Sequence, residues 1–148
     1  MDTTDSGTAT ALDVRSDVAA INRDGIVGRK AALDRTFVGD LHEDLMTAFW
    51  AAIQRPRGTM NRGRRRWYVE VHSEQLRGFI DLVTQPWITA LSEAVLGSDY
   101  RIVEVGFDVP FQGARTQPWH RDFPSPPVTI EERRLTSLAF NVTAVDTR

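Results

Sequence analysis

The sequence predicts an α+β fold, in which helices cover one face of an antiparallel sheet. Two observations predict it: apolar residues recur at three and four residues in the first part of the chain, and extended runs with alternating apolar residues follow later. Helices that come before strands favour this arrangement over alternating βαβ units. The 148 residues, of which 41% are hydrophobic, are enough for one domain with a sizeable core.

Composition limits the chemistry that the chain can perform. It has no Cys, so disulfides and thiolate metal sites are excluded and any metal must be bound through nitrogen and oxygen. Residues 1–13 lack the basic start and apolar centre of a secretory signal, and we expect them to form a disordered tail before a domain at 14–148. No apolar run approaches the roughly 20 residues that span a bilayer. We therefore expect a cytoplasmic protein without a membrane partner.

The best-defined predicted element is the second of two N-terminal helices. A short helix over Asp13 to Asn22 precedes it, and Asp34 or Thr36 is the expected N-cap of the second. Pro56 lies just beyond its expected end. Its apolar face, which should pack on a sheet, contains Val38, Leu41, Leu45, Ala48, Phe49, Ala52 and Ile53.

The remaining elements are predicted from alternation and from helix boundary signals. Pro86 suits the first turn of a helix and Gly97 suits a C-cap. The expected strands are Trp67 to His72, Arg101 to Val109 and Leu135 to Val145, and the expected helices are Glu74 to Val83 and Trp87 to Leu96.

Six arginines crowd the loop between the second helix and the first strand, at positions 55, 57, 62, 64, 65 and 66. Such a cluster can bind phosphates through bidentate hydrogen bonds, which would suit a nucleic acid or an anionic substrate. The alternative is a solvated loop that balances acidic helices, since charge runs usually face solvent. The net charge of −2 favours this second interpretation, and we expect no nucleic-acid partner.

The segment Gln117 to Pro124 contains the strongest candidate for chemistry. His120 and Asp122 are two residues apart, so both side chains would point to the same face of a strand. One imidazole and one carboxylate make up two thirds of the facial triad that binds non-haem Fe(II). The alternative is a surface histidine that forms an ion pair with its neighbour.

Other motifs give no competing chemistry. The chain has no GxGxxG or Walker loop, no nucleophile elbow and no HExxH pair. His42 falls on the polar side of a helix and His72 ends a strand, so we expect neither to be a metal ligand.

From about Asp24 onward the chain resembles the phytanoyl-CoA dioxygenase family. The resemblance depends on the strand Arg66 to His72 and on Val103 to Phe107 leading into the His120–Asp122 segment. Members of that family are Fe(II)- and 2-oxoglutarate-dependent oxygenases with a double-stranded β-helix, also called a jelly roll. The resemblance implies that His120 and Asp122 are iron ligands and that Gln117 contacts 2-oxoglutarate.

The implied function is hydroxylation of a small organic substrate, with succinate and carbon dioxide as co-products. The family's distal histidine and its arginine for 2-oxoglutarate have no counterpart before Arg148, so we expect the jelly roll to be truncated and the third ligand to be missing. The alternative is a non-catalytic remnant or binding module of the same fold. An unpaired edge of the strand Leu135 to Val145 would then favour self-association.

Overall fold

The computed structural model describes residues 6–71, 75–118, 120, 122–124 and 126–145, and side chains from residue 14 onward. No helix in this described part of the chain combines the length and apolar character needed to cross a membrane. The elements, in chain order, are α1 (Ser6–Asp24), α2 (Arg35–Ile53), β1 (Met60–Asn61), β2 (Arg66–Glu70), α3 (Phe79–Val83), α4 (Pro86–Leu96), β3 (Gly106–Pro110) and α5 (Pro127–Glu131).

The described residues divide into two compact units, each assembled from separate stretches of the chain. The first unit contains those of 1–32, 80–101 and 125–141, and the second contains those of 33–79, 102–124 and 142–148. The sheet and α2 therefore belong to the second unit, whereas α1 and α4 pack together in the first.

A polar cluster joins α1 to α4 in the first unit. The indole Nε1–H of Trp87 donates to Asp17 Oδ2 at 2.6 Å, and Arg29 Nη2 donates to the same oxygen at 3.0 Å. The Arg29 guanidinium lies 5.0 Å from the centre of the Trp87 ring, and the Phe140 ring meets that indole edge-on at 5.9 Å. These contacts give the carboxylate of Asp17 two donors and so compensate for its partial burial.

Helix α2 begins where the sequence predicts. Asp34 is the N-cap, and its Oδ1 accepts from the backbone N–H groups of Thr36 at 2.8 Å and Phe37 at 3.2 Å. These are donors that a helix N-terminus leaves without an intrahelical partner. On the apolar face Leu41, Phe49 and Ala52 are buried. The Phe49 ring contacts the Trp67 ring of β2 at 6.1 Å, which confirms that the helix packs on the sheet.

The sheet has three antiparallel strands in the order β1-β2-β3. The pairing of β2 with β3 aligns Tyr68 with Asp108 and Val69 with Phe107. Polar side chains therefore lie on one face of the sheet and apolar side chains on the other. Val69 is buried on the helix side, while Arg66 on the other face forms an ion pair with Asp108. This arrangement confirms the α+β class and, over residues 67–70, the strand predicted at 67–72, of which 72 lies outside the described residues.

Local signals set the ends of the later helices. Pro86 occupies the first turn of α4, and Gly97 ends that helix with a φ of +94° while its N–H donates to Glu93 O. Both positions confirm the prediction. Helix α3 is shorter than predicted, beginning at Phe79, and Glu74 lies outside the described residues. Just before it, Gly78 approaches the Phe37 ring so closely that a Cβ would lie 2.8 Å from a ring carbon.

Two predictions of extended structure are wrong in part. Residues 135–145 contain no strand, and β3 begins at Gly106 and not at 101. Alternation stabilises a strand only when a neighbour accepts its backbone hydrogen bonds, and none of the described residues pairs with 135–145. At the other end, α1 begins at Ser6, so the described residues of the segment 1–13 expected to be a tail belong to a helix.

Candidate metal centre and aromatic cleft

His120 and Asp122 lie together at the end of the chain segment that follows β3. The distance from His120 Nε2 to Asp122 Oδ1 is 3.4 Å. The described residues here form no strand, and 122–123 make a bend. The described residues therefore do not show the strand from which the sequence predicted the common direction of the two side chains.

The backbone fixes which ring nitrogen of His120 is available. Nδ1 lies 2.8 Å from the carbonyl oxygen of Pro118. A carbonyl only accepts hydrogen bonds, so Nδ1 carries the proton and, in the neutral ring, Nε2 keeps its lone pair. A backbone carbonyl that orients a histidine in this way is the usual outer contact of a metal-binding imidazole. The free nitrogen is the one that faces Asp122.

The pair fits two adjacent positions around an octahedral ion. Ligand atoms at about 2.1 Å from such an ion, on neighbouring positions, lie about 3 Å apart. The 3.4 Å between Nε2 and Oδ1 requires only a small adjustment to match. Both side chains are open to solvent, with exposed fractions of 48% for His120 and 60% for Asp122. The same geometry also suits an ion pair when the imidazole is protonated.

The other residues considered as ligands do not join this pair. Gln117 is half-buried, three residues before His120, and His42 is half-buried in α2. His72 lies outside the described residues. Within the described part of the chain, no group of three or more His, Asp or Glu side chains converges as a metal site would require.

A second candidate site is a cleft of about 450 Å³ in the unit that contains the sheet. Four aromatic rings from α2, β2 and the residue after β3 form its walls together with Ile53, and two polar residues lie at its rim. The lining residues are Phe49, Trp50, Ile53, Arg65, Trp67, Phe111 and Gln112. A smaller cleft of about 230 Å³ includes Asp44, Arg55 and Gln75. Neither cleft is lined by His120 or Asp122.

The rings in the aromatic cleft contact each other edge-on or tilted. Phe111 meets Trp67 at 5.6 Å and 89°, and Phe49 meets Trp50 at 5.0 Å and 62°. Such arrangements are the favoured ones, because the positive edge of one ring faces the negative face of another. Phe49 is almost completely buried, whereas Trp50 is 51% exposed. The cluster thus has a buried base and an open upper wall.

Several arginines of the loop between α2 and β2 have partners within the molecule. Arg66 pairs with Asp108, the Arg62 guanidinium lies 4.9 Å from the centre of the Tyr68 ring, and Arg65 Nη1 donates to Gln112 O at 2.8 Å. These contacts direct part of the cationic cluster towards the sheet and its turns.

Tyr68 is held on the polar face of the sheet as a neutral phenol. Its hydroxyl donates to Glu104 Oε1 at 2.6 Å. Partial burial, and then the Glu104 carboxylate, raise the pKa of Tyr68 to about 12. Tyr68 also explains Gly106, since a Cβ there would overlap the Tyr68 hydroxyl group.

Sequence reasoning missed the aromatic cleft. Phe49 was assigned to the core face of a helix and Trp67 to a strand, and both assignments hold, but their convergence with Trp50 and Phe111 depends on contacts between residues distant in sequence. One available signal was Trp50, a large apolar residue directly after a core position of a helix, where a polar side chain is expected.

Comparisons of the chain with protein-family models, with curated proteins and with solved structures gave no match.

Proposed function

We propose that this chain contributes His120 and Asp122 to the Fe(II) centre of a 2-oxoglutarate-dependent oxygenase that hydroxylates a small organic substrate. The observation that supports the proposal is the Nε2 of His120, left with its lone pair by the Pro118 carbonyl, 3.4 Å from a carboxylate oxygen of Asp122. The family resemblance of the sequence points to the same two residues.

Each residue has a distinct role at such a centre. His120 provides a neutral nitrogen ligand whose ring orientation is fixed by Pro118. Asp122 provides a negative charge that partly neutralises the cation, and the Gln117 amide is available to donate to a carboxylate of 2-oxoglutarate. Iron and 2-oxoglutarate, when bound, supply the oxidising chemistry. The chain itself orients the ligands and needs no acid or base of its own.

The sheet belongs, in this proposal, to a larger double-stranded β-helix in the phytanoyl-CoA dioxygenase family. Its strands are antiparallel, α2 covers one face, and β3 leads directly into the segment that carries His120. The third iron ligand then comes from a residue outside the described part of the chain.

Metal titration tests the site. Anaerobic titration of the chain with Fe(II), or with Mn(II) as a stable substitute, should give one saturable site. His120→Ala and Asp122→Ala should each weaken it about tenfold or more, and together little further, because both act on one ion. His42→Ala is the matched control and should leave the affinity unchanged. In a chain extended to supply the third ligand, metal-dependent release of succinate from 2-oxoglutarate, lost in His120→Ala, would be the expected activity.

Metal binding that survives both substitutions, or that is lost equally in the His42 variant, would contradict the proposed centre. Binding without succinate release would favour the second candidate, a non-catalytic module of the same fold. One observation supports that candidate: among the described residues no third carboxylate or imidazole accompanies the pair.

A further inference from the structure

The mouth of the aromatic cleft is held by hydrogen bonds between two turns. The backbone N–H of Phe111 donates to Arg65 O at 2.9 Å, and Arg65 Nη1 donates to Gln112 O at 2.8 Å. The turn from Phe111 to Ala114 is closed at 2.8 Å, with Gly113 at a φ of +82° as a type II turn requires. The cleft is therefore preformed and does not depend on a ligand for its shape.

Arg65 occupies a backbone conformation that suits glycine or asparagine better. Its φ is +59°, in the left-handed region, where a side chain with a Cβ is strained by about 1 kcal/mol. The turn would be less strained with glycine, yet an arginine stands here and extends its guanidinium over Gly113 to the rim of the cleft. Gln112 O accepts from Arg65 Nη1, and a guanidinium has five N–H donors, so the described contact leaves donors for an anion.

We propose that this cleft binds a small, planar aromatic carboxylate, whose ring packs against the exposed parts of Trp50 and Phe111 and whose carboxylate pairs with Arg65. The site is independent of the iron centre proposed above, because it shares no residue with it.

Size, wall chemistry and charge select this class of ligand. A volume of about 450 Å³ is in the range of small-molecule pockets, which are mostly apolar with a few placed polar groups. Aromatic walls favour a flat ring, which contacts them edge-on or with offset stacking. A planar guanidinium at one edge favours a carboxylate, with which it forms two parallel hydrogen bonds. A cation would be repelled, and a neutral aromatic molecule would leave Arg65 unused.

Nuclear magnetic resonance of the indole N–H groups tests the site in the intact chain. Titration with 2-naphthoate should shift the signals of Trp50 and Trp67, assigned through Trp→Phe variants, and leave the signal of Trp87 unchanged. The isosteric neutral amide, 2-naphthamide, should bind the same residues about fivefold more weakly, as expected for loss of one partly exposed ion pair.

Two variants separate the anion contact from the aromatic contact. Arg65→Gln should abolish the preference for naphthoate over naphthamide without changing the binding of the amide. Arg64→Gln, at the neighbouring exposed arginine that does not line the cleft, is the matched control and should keep the preference. Trp50→Ala should weaken both ligands about tenfold, and since Trp50 is half-exposed its loss should leave the far-ultraviolet circular dichroism unchanged.

Equal affinity for naphthoate and naphthamide, or shifts at Trp87 in place of Trp50 and Trp67, would overturn the proposal. A chain dimer that Trp50→Ala dissociates, with no naphthoate binding, would assign the cleft to a second copy and would overturn it as well.

Discussion

A side chain added at either of two glycines near the ends of α2 would meet very different surroundings. Gly58 lies in the turn after the helix, its N–H donates to Arg55 O at 3.0 Å, and a Cβ there would overlap the backbone carbonyl of buried Ala52. Gly39 lies in the first part of the helix with no neighbouring atom within 4 Å of an added Cβ. The same substitution should therefore change stability in opposite directions.

Gly58→Ala should lower the free energy of unfolding by about 1–3 kcal/mol, because the backbone of the turn must move. Gly39→Ala should raise it by about 0.5–1 kcal/mol, since alanine has the better helix propensity. Urea denaturation followed by circular dichroism measures both. Equal destabilisation by the two variants would contradict the close approach of Gly58 to Ala52.

The His120–Asp122 pair shows how two residues chosen from sequence spacing can lie close together without the local structure that the choice assumed. Spacing alone identified the two residues, and the structure brings their side chains to 3.4 Å. The described residues of this segment form no strand, and the hydrogen bond of Nδ1 to Pro118 O could not be predicted from the sequence.

Among the helices and strands, those with local start and stop signals were predictable. Asp34 at the N-cap of α2 and Pro86 at the first turn of α4 determine those helices within the sequence itself. The segment 135–145 has equally clear alternation but forms no strand, because a strand also needs a paired neighbour. The aromatic cleft, built from residues far apart in sequence, was missed for the same reason: its contacts are non-local.

The N-cap of α2 should make helix stability depend on pH in acid. Hydrogen bonds from the N–H groups of Phe37 and then Thr36 lower the pKa of Asp34 below its ordinary value of 3.8. A lowered pKa in the folded state means that the carboxylate contributes stability above 3.8, and that this stability is lost as the pH falls through the folded value.

Asp34→Asn isolates this effect, because asparagine also caps a helix but does not titrate. The wild type should lose stability relative to the Asn variant as the pH is lowered below 3.8. Urea midpoints measured at a series of acidic pH values give the difference, and other carboxylates such as Asp44 cancel because both proteins contain them. Parallel pH profiles for the two proteins would mean that Asp34 does not act as a charged cap.

At the scale of the whole chain, two exposed apolar side chains lie just before the edge strand of the sheet. β3 has β2 on one side and no partner on its other side among the described residues. Ile102 and Val103, just before it, are 52% and 80% exposed. An edge strand with unpaired N–H and C=O groups and apolar neighbours is a site at which chains associate.

Self-association of the chain should therefore occur through the β3 edge, and Val103→Lys should reduce it, because a charged side chain beside an edge strand opposes pairing. Sedimentation equilibrium at several concentrations measures the shift towards monomer. Ile26→Lys is the matched control, since Ile26 is 74% exposed but lies in the loop after α1 and away from the sheet in sequence. The Ile26 variant should associate like the wild type.

A wild-type chain that remains monomeric at all concentrations, or an equal response of the two variants, would show that the free edge of β3 does not cause association.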